Sequence, residues 1–564
     1  MSELDQIARE YLADSSRLDP ISAFARGDLE FADAMTDFSP AGEAVRAELA
    51  RHALARAQAS APDSDSDRRA KAAMLNRLRV EVDLFEAGEW MRGLSVFGPQ
   101  VQIRGTFDLM ATESEADWSR IAAKLVAVPA AIAGFQATLE VGRQQQAMAA
   151  RRQALACAAQ TGVWSGAGRG PGFFSALAAS YQGGDPSLED GLRRAAGAAD
   201  MAYLGLTQYL ERDYAASAPV VDGVGPERYQ LHCRYFNGLD LDLEETYAFG
   251  WEELARIERE MGLVAERIAP GAGMAGAVAL LESDPERSIV GEANFRAWNQ
   301  DFLERTMAAL DGPHFDIPAP VRRVEAMIAP PGGSPAMYYT PPSKDFSRPG
   351  RTWYPTLGRT RFPLWNEVST AYHEGVPGHH LQLAQVCYLD SQLNPFQTML
   401  GAVSGHIEGW ALYAERLMGE LGFLENPDYR LGMLASHSMR AARVVVDIGL
   451  HLGKAIPSRQ AFHPGERWDW DLAVAFMMEK ARRSQQFCAG EVDRYLGVPA
   501  QAISYKVGER AWLEVRDEAR RAWGGRFQLK EFHRRALELG CIGLEQLRWE
   551  LGRPLPKEAP PAAT

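Results

Sequence analysis

Three of the chain's 11 histidines fall within eight residues, in the stretch AYHEGVPGHHLQLAQ at 371–385. A His-Glu pair on a helix is the start of a metal-dependent hydrolytic site when a second histidine follows four residues later, because four residues make about one turn and bring both imidazoles to one ion. Here the fourth residue after His373 is Pro377, and the next histidines, His379 and His380, stand six and seven residues on. On an undistorted helix the sixth position lies roughly 240° round and the seventh about 10 Å along the axis, so neither shares an ion with His373. Pro377 forbids regular geometry by removing an N–H and crowding the preceding turn, and Gly378 admits unusual dihedrals. A break there absorbs two residues and restores convergence. His379 is then the expected second ligand, with His380 beside it in the pocket and in reserve.

A carboxylate ligand is expected from HIEGWALYAERL at 406–417, which carries Glu408 and, seven residues on, Glu415. Two imidazoles and one carboxylate leave a fourth position open, as a catalytic zinc site requires, so the expected cofactor is one zinc per chain. Glu374, next to His373, is the candidate base for a water proton. Two other readings use the same residues. The break could disable the site and leave a ligand-binding protein, or the two-His, one-carboxylate set could hold non-haem iron. A base directly after the first ligand favours hydrolysis over both.

The elements that must position these residues are mainly helical. At 249–268 apolar residues recur at three- and four-residue steps between charges, and this pattern holds through most of the chain. Turn-rich breaks stand at 60–67, 165–172, 218–227 and 328–363. The last combines aromatics, Thr and Pro and predicts a hairpin or short strand beside the histidine helix, with Tyr338 and Tyr339 as candidates to line a substrate cleft. Arg440, Arg443, Asp447 and His451 share one helix face. Either arginine could clasp a substrate carboxylate, or the stripe could brace the metal-bearing helices.

Composition narrows the partners. A chain of 564 residues, 46% hydrophobic, can bury a large core, and a formal net charge of −14 offers no field for nucleic acid or an anionic membrane. Five scattered cysteines without a C-x-x-C pair suit reduced thiols. The acidic opening MSELDQIAREYLADSSRLDP lacks the basic start and apolar run of a signal peptide, so a cytoplasmic protein is expected. The apolar stretch at 121–142 is interrupted by Lys124, Pro129, Gln136 and Glu140 and reads as a buried helix, with no membrane partner.

The segments HEGVPGHHLQ (373–382) and EGWALYAE (408–415), with RAARVVVDIGLH (440–451) and EVDRYLGVPAQAISYKVGE (491–509), resemble domain-of-unknown-function family 885. That family looks like a branch of the helical glutamate-zinc peptidases. The resemblance covers most of the chain from about residue 225 and the N-terminal third more faintly. It implies a two-lobed helical clamshell with a deep central channel, an N-terminal helical region at 1–224 packing on a catalytic region at 225–564, and short peptides or peptide-like amides as substrates. It also implies a tyrosine donor from a C-terminal segment to stabilise the developing oxyanion, for which Tyr505 is the match. The family usually has Gly where this chain has Ala500, and an F-Y-V-N stretch where this chain reads WYPT.

Overall fold

The three- and four-residue periodicity becomes helix through most of the chain, and the turn-rich stretches become its breaks. A computed structural model of the protein describes residues 2–167, 170–330 and 336–554. Helix Pro40–Ala59 ends at Ser60, and Asp65–Glu86 starts from a Ser64 side chain that accepts the Asp67 N–H. Helix Pro226–Asn237 opens after the 218–225 break with proline in its first turn. The expected breaks at 165–172 and 328–363 lie in part, at 168–169 and 331–335, outside the described residues.

Two helical cores account for most of the burial. The smaller is built round helix Glu115–Gln144, which buries Ile121, Leu125, Val128, Ile132, Phe135 and Leu139 against helices Arg151–Trp164 and Pro186–Tyr209. This helix is long and apolar enough to cross a membrane by composition, and it packs that apolar face within the fold. The larger core draws on helices before and after residue 225, from Leu4, Ala53 and Leu78 to Trp512 and Leu551. At its centre helix Leu243–Ile268 lies along the arginine helix, Pro427–His451, with Gly250 against Val444 and Val445. Burial of this kind stabilises by about 25 cal/mol per Å² of apolar surface.

The β structure is small. Strand β1 (Ser288–Val290) pairs antiparallel with β5 (Arg361–Pro363). In a second sheet β4 (Gly350–Tyr354) lies between β2 (Val324–Ile328), parallel to it, and β3 (Tyr338–Thr340), antiparallel. The expected hairpin is therefore present as β3–β4, and β4 rests at Gly350 on His380 of helix His379–Tyr388. The chain is mainly α with these two small sheets. All five cysteines are free thiols.

Candidate metal centre

The sequence His-Glu-Gly-Val-Pro-Gly-His-His folds as two helices and a tight turn. The first histidine helix, Glu367–Glu374, ends one residue after His373, and the second, His379–Tyr388, begins at His379. Between them the chain doubles back so closely that a Cβ on Gly378 would stand 1.9 Å from the His373 carbonyl oxygen, which only glycine allows. The turn is fastened from outside by Trp410, whose indole N–H donates to the carbonyls of Pro377 (2.9 Å) and Gly378 (3.2 Å).

Trp410 belongs to the glutamate helix, Ser404–Glu420, so EGW carries three tasks in three residues. Glu408 faces the histidines and Trp410 holds their turn. Gly409 meets Gly508 of the tyrosine helix, Ser504–Trp523, so closely that a Cβ would come within 2.4 Å of its backbone. That backbone contact sets Tyr505 beside Glu408.

The Nε2 atoms of His373 and His379 lie 3.3 Å and 3.5 Å from the same Glu408 oxygen, Oε2. Among the described residues these three are the group whose donor atoms converge for a metal ion, all within 4.8 Å of one another. The two imidazoles stand edge to face with centroids 4.8 Å apart. Two neutral nitrogen donors and one carboxylate suit a borderline divalent ion such as zinc. His373 is held from behind: its Nδ1 meets Glu415 Oε1 at 2.8 Å, and Glu415 also takes the Ser369 hydroxyl and lies 3.4 Å from His437 Nε2 and 3.8 Å from Arg440. Nδ1 of His379 is buried without a hydrogen-bond partner among the described residues.

The electrostatics concentrate negative charge on one spot. Burial alone would lower the His373 pKa, but the carboxylates of Glu408 and Glu415 on its two nitrogens outweigh burial and hold it up at about 9. Burial opposes ionisation of Glu408 and Glu415 as well, yet His373 and His379 hold the first carboxyl, and Arg440, His373 and His437 the second, well below the usual range. The carboxyl of Glu374 is pushed up, first by burial and then by the Glu408 charge, against the pull of His379 and His373. Burial and neighbouring charges, not hydrogen bonds, set this shift.

His380 is set apart from the metal group. Its Nε2–H donates to the Val321 carbonyl at 2.7 Å and its Nδ1 accepts from the Tyr339 hydroxyl at 2.9 Å, so both nitrogens are occupied. Burial lowers its pKa to about 4 and keeps it neutral. Tyr339 is thus tied to His380, whereas Tyr338 stacks half-buried on Trp353. The Tyr505 ring lies nearly parallel to the His373 imidazole, centroids 6.3 Å apart, and burial followed by the Glu408 charge raises its hydroxyl pKa. Arg443 pairs with Glu491 at 2.7 Å, donates to the Tyr495 hydroxyl and covers the Tyr505 ring at 4.8 Å. Arg440 donates to the Ser436 hydroxyl beside Glu415. Both guanidinium groups of the stripe are engaged with the protein.

Three residues of this site carried no signal of their own. Ser369 stands four before His373 and touches Glu415. His437, three before Arg440 on the same helix face, could have been found by extending the charged stripe one step. Tyr354, in the WYPT departure, is fully buried beside Thr352, and burial first and then the Glu374 charge raise its hydroxyl pKa.

Fold and site together define a mainly helical protein with a buried two-histidine, one-carboxylate group able to hold a metal ion. The chain belongs to DUF885, a family described as bacterial protein of unknown function, which matches residues 20–551. Solved structures share the fold. One, described as a "putative lipoprotein" from Colwellia psychrerythraea, aligns with a TM-score of 0.80 at 21% identity over 98% of this chain and 99% of its own. Another, a "putative lipoprotein of unknown function" from Shewanella oneidensis, aligns with a TM-score of 0.71 at 16% identity over 97% and 99%. No curated protein matches the sequence.

The cytoplasmic placement expected from the opening residues is corrected by these matches, since both of these solved structures are described as putative lipoproteins. The acidic opening stretch shows only helix Glu3–Leu18 with its Ser2 cap, a feature indifferent to compartment.

Proposed function

We propose that the protein is a zinc-dependent hydrolase of amide bonds in short peptides or peptide-like molecules, of the helical glutamate-zinc peptidase type. His373, His379 and Glu408 would hold the ion. The observation that carries this reading is Glu374: a buried carboxylate adjoining the donor set, its pKa raised by burial. A structural metal site needs no such group, whereas hydrolysis needs a base poised to take a proton and give it up again.

A bound zinc ion supplies Lewis-acid polarisation of the carbonyl and a lowered pKa for water. The chain's own residues do the rest. Glu374 takes the proton of the attacking water on a carboxylate oxygen and returns it to the leaving nitrogen. Tyr505, kept protonated by burial and by Glu408, donates its hydroxyl proton in a hydrogen bond to the developing oxyanion. Arg443 orients the Tyr505 ring, and Glu415 fixes His373. The half-buried Tyr338–Trp353 stack offers an aromatic surface to the substrate.

A cleft of about 770 Å³ runs between the N-terminal helices and the segments holding Ala402 and Pro499. None of His373, His379, Glu408, Glu374 and Tyr505 lines this cleft, so it lies apart from the donor set.

The test is elemental analysis of the full chain beside His373→Ala, His379→Ala, His380→Ala, Glu408→Ala and Glu374→Gln, with a pool of dipeptides and tripeptides assayed on the same samples. About one zinc per chain is expected, lost from the first, second and fourth variants and kept by the others. Hydrolysis should fall on the order of 10²–10⁴-fold in Glu374→Gln. Zinc retained with no hydrolysis in the wild type would leave a metal site and remove the peptidase.

A further inference from the structure

Behind the metal centre, on the far side of Glu415, four helices leave a second cavity of about 290 Å³. Its floor is His437 and Glu509, both nearly inaccessible. His437 stands between the two sites, with Nε2 3.4 Å from Glu415 and Nδ1 3.7 Å from Glu509 Oε1.

The walls carry Arg256, Arg416 and Arg430 against Glu260, Glu420 and Glu509, three charges of each sign. Arg256, Arg430 and Glu260 are spent on one another, Arg256 also on Glu253, and Glu420 on Arg516. Two groups keep unused hydrogen-bonding capacity. Arg416 makes no hydrogen bond among the described residues, its nearest carboxylates lying 3.7 Å (Glu420) and 3.8 Å (Glu509) away. Glu509 Oε1 is buried without a hydrogen-bond partner, although its other oxygen meets Lys506. A buried carboxylate oxygen left unpaired is costly unless something donates to it, and a half-exposed guanidinium beside it asks for an acceptor.

We infer that this cavity binds a free α-amino acid as its zwitterion, the ammonium on Glu509 and the carboxylate on Arg416. The balanced walls favour a ligand carrying both charges over a simple anion or cation, whose uncompensated charge would be desolvated. At ~30 Å³ for each water-sized unit, the space takes about ten non-hydrogen atoms, the size of one amino acid or of the smallest dipeptides. Met433 and Leu434 provide the apolar wall for its side chain. The proposal does not depend on hydrolysis, because it concerns binding at residues outside the metal group.

The test is isothermal titration of the full chain with L-alanine, L-leucine and L-methionine, and with N-acetyl-L-leucine and L-leucinamide, each lacking one charge. At least one free amino acid should bind at one per chain, and both blocked forms tenfold or more weakly. Arg416→Leu, at a half-exposed position, and Glu509→Gln, which keeps the shape, should each weaken binding tenfold or more. His379→Ala should leave it unchanged. The inference fails if no free amino acid binds or if N-acetyl-leucine binds as well as leucine. It also fails if binding survives Arg416→Leu but is lost in His379→Ala, which would put the ligand at the metal centre. A protein that binds amino acids here but hydrolyses no peptide would keep this inference and refute the peptidase reading.

Discussion

Glu415, on the glutamate helix beside Arg440, and Asp447, on the charged stripe itself, are both fully buried carboxylates, and their pKa values shift in opposite directions. Glu415 faces His373, His437 and Arg440, and their positive charge outweighs the cost of burial and keeps it ionised. The hydrogen-bond partners of Asp447 are neutral, the Tyr229 hydroxyl at 2.6 Å and the Ala500 N–H at 3.0 Å, and burial outweighs them and the Arg494 charge and lifts its pKa to about 7. The imidazole of His451, 3.5 Å away, is kept neutral by burial, with a pKa near 4. Equal burial gives unequal charge because the partners differ. The carboxylate beside the metal group holds a permanent negative charge behind His373, and the one on the stripe can be neutral.

The sharpest way to break this contrast is Glu415→Gln. Removing one member of a buried ionic cluster strands the others, so stability should fall by about 3–5 kcal/mol in urea unfolding. Loss of the group that orients a ligating histidine should also weaken zinc about 10–100-fold against a competing chelator. Unchanged zinc affinity would show that the cluster is structural only. His380→Leu separates the two properties. It leaves the Tyr339 hydroxyl and the Val321 carbonyl unpaired in the interior and should cost about 2–6 kcal/mol, at about 1–3 for each buried group, while zinc stays at one per chain.

Asp447→Asn addresses the other carboxylate. An unfolded aspartate loses its proton near pH 3.8, but the folded Asp447 keeps it to about pH 7. Between those values the folded state binds more protons than the unfolded one, so this group's contribution to stability falls as pH rises and is lost above about pH 7. Relative to the asparagine variant, the wild type should lose ~2 kcal/mol between pH 5 and pH 7, at ~1.4 kcal/mol per pH unit. Parallel pH profiles for the two proteins would mean that Asp447 is ionised throughout.

Much of the metal centre was legible because Pro377, Gly378 and the Glu408 helix each carry a backbone consequence that local sequence fixes: a forbidden helix, a permitted close turn, a seven-residue repeat. The helical fold was legible for the same reason, through its periodicity. The choice between His379 and His380 was not, because it depends on Val321 and Tyr339, 59 and 41 residues away along the chain. The engagement of Arg440 and Arg443 was open for the same reason, since a stripe on one helix does not reveal which carboxylates the neighbouring helices bring to it. Compartment was not legible at all in a capped amphipathic helix.

The smallest expected effect lies where the far end of the stripe is anchored. Ala500 donates its N–H to Asp447 from the left-handed region, at φ +65°, a conformation that favours glycine. A Cβ there costs roughly 1–2 kcal/mol. Ala500→Gly removes that cost but gives back about 0.5–1 kcal/mol in chain entropy and part of the contact made by a buried methyl. The net gain should therefore be about 0.5 kcal/mol, a rise in Tm of no more than about 2 °C. The hydrogen bond to Asp447 is a backbone one, so the pH profile of Asp447 should survive the substitution intact. If Ala500→Gly instead lost more than about 1 kcal/mol, the methyl group would be holding the turn by packing. If it abolished the pH profile, the Ala500 N–H would depend on the rigidity that the methyl group imposes, and the hydrogen bonding of Asp447 would be set by this turn more than by Tyr229.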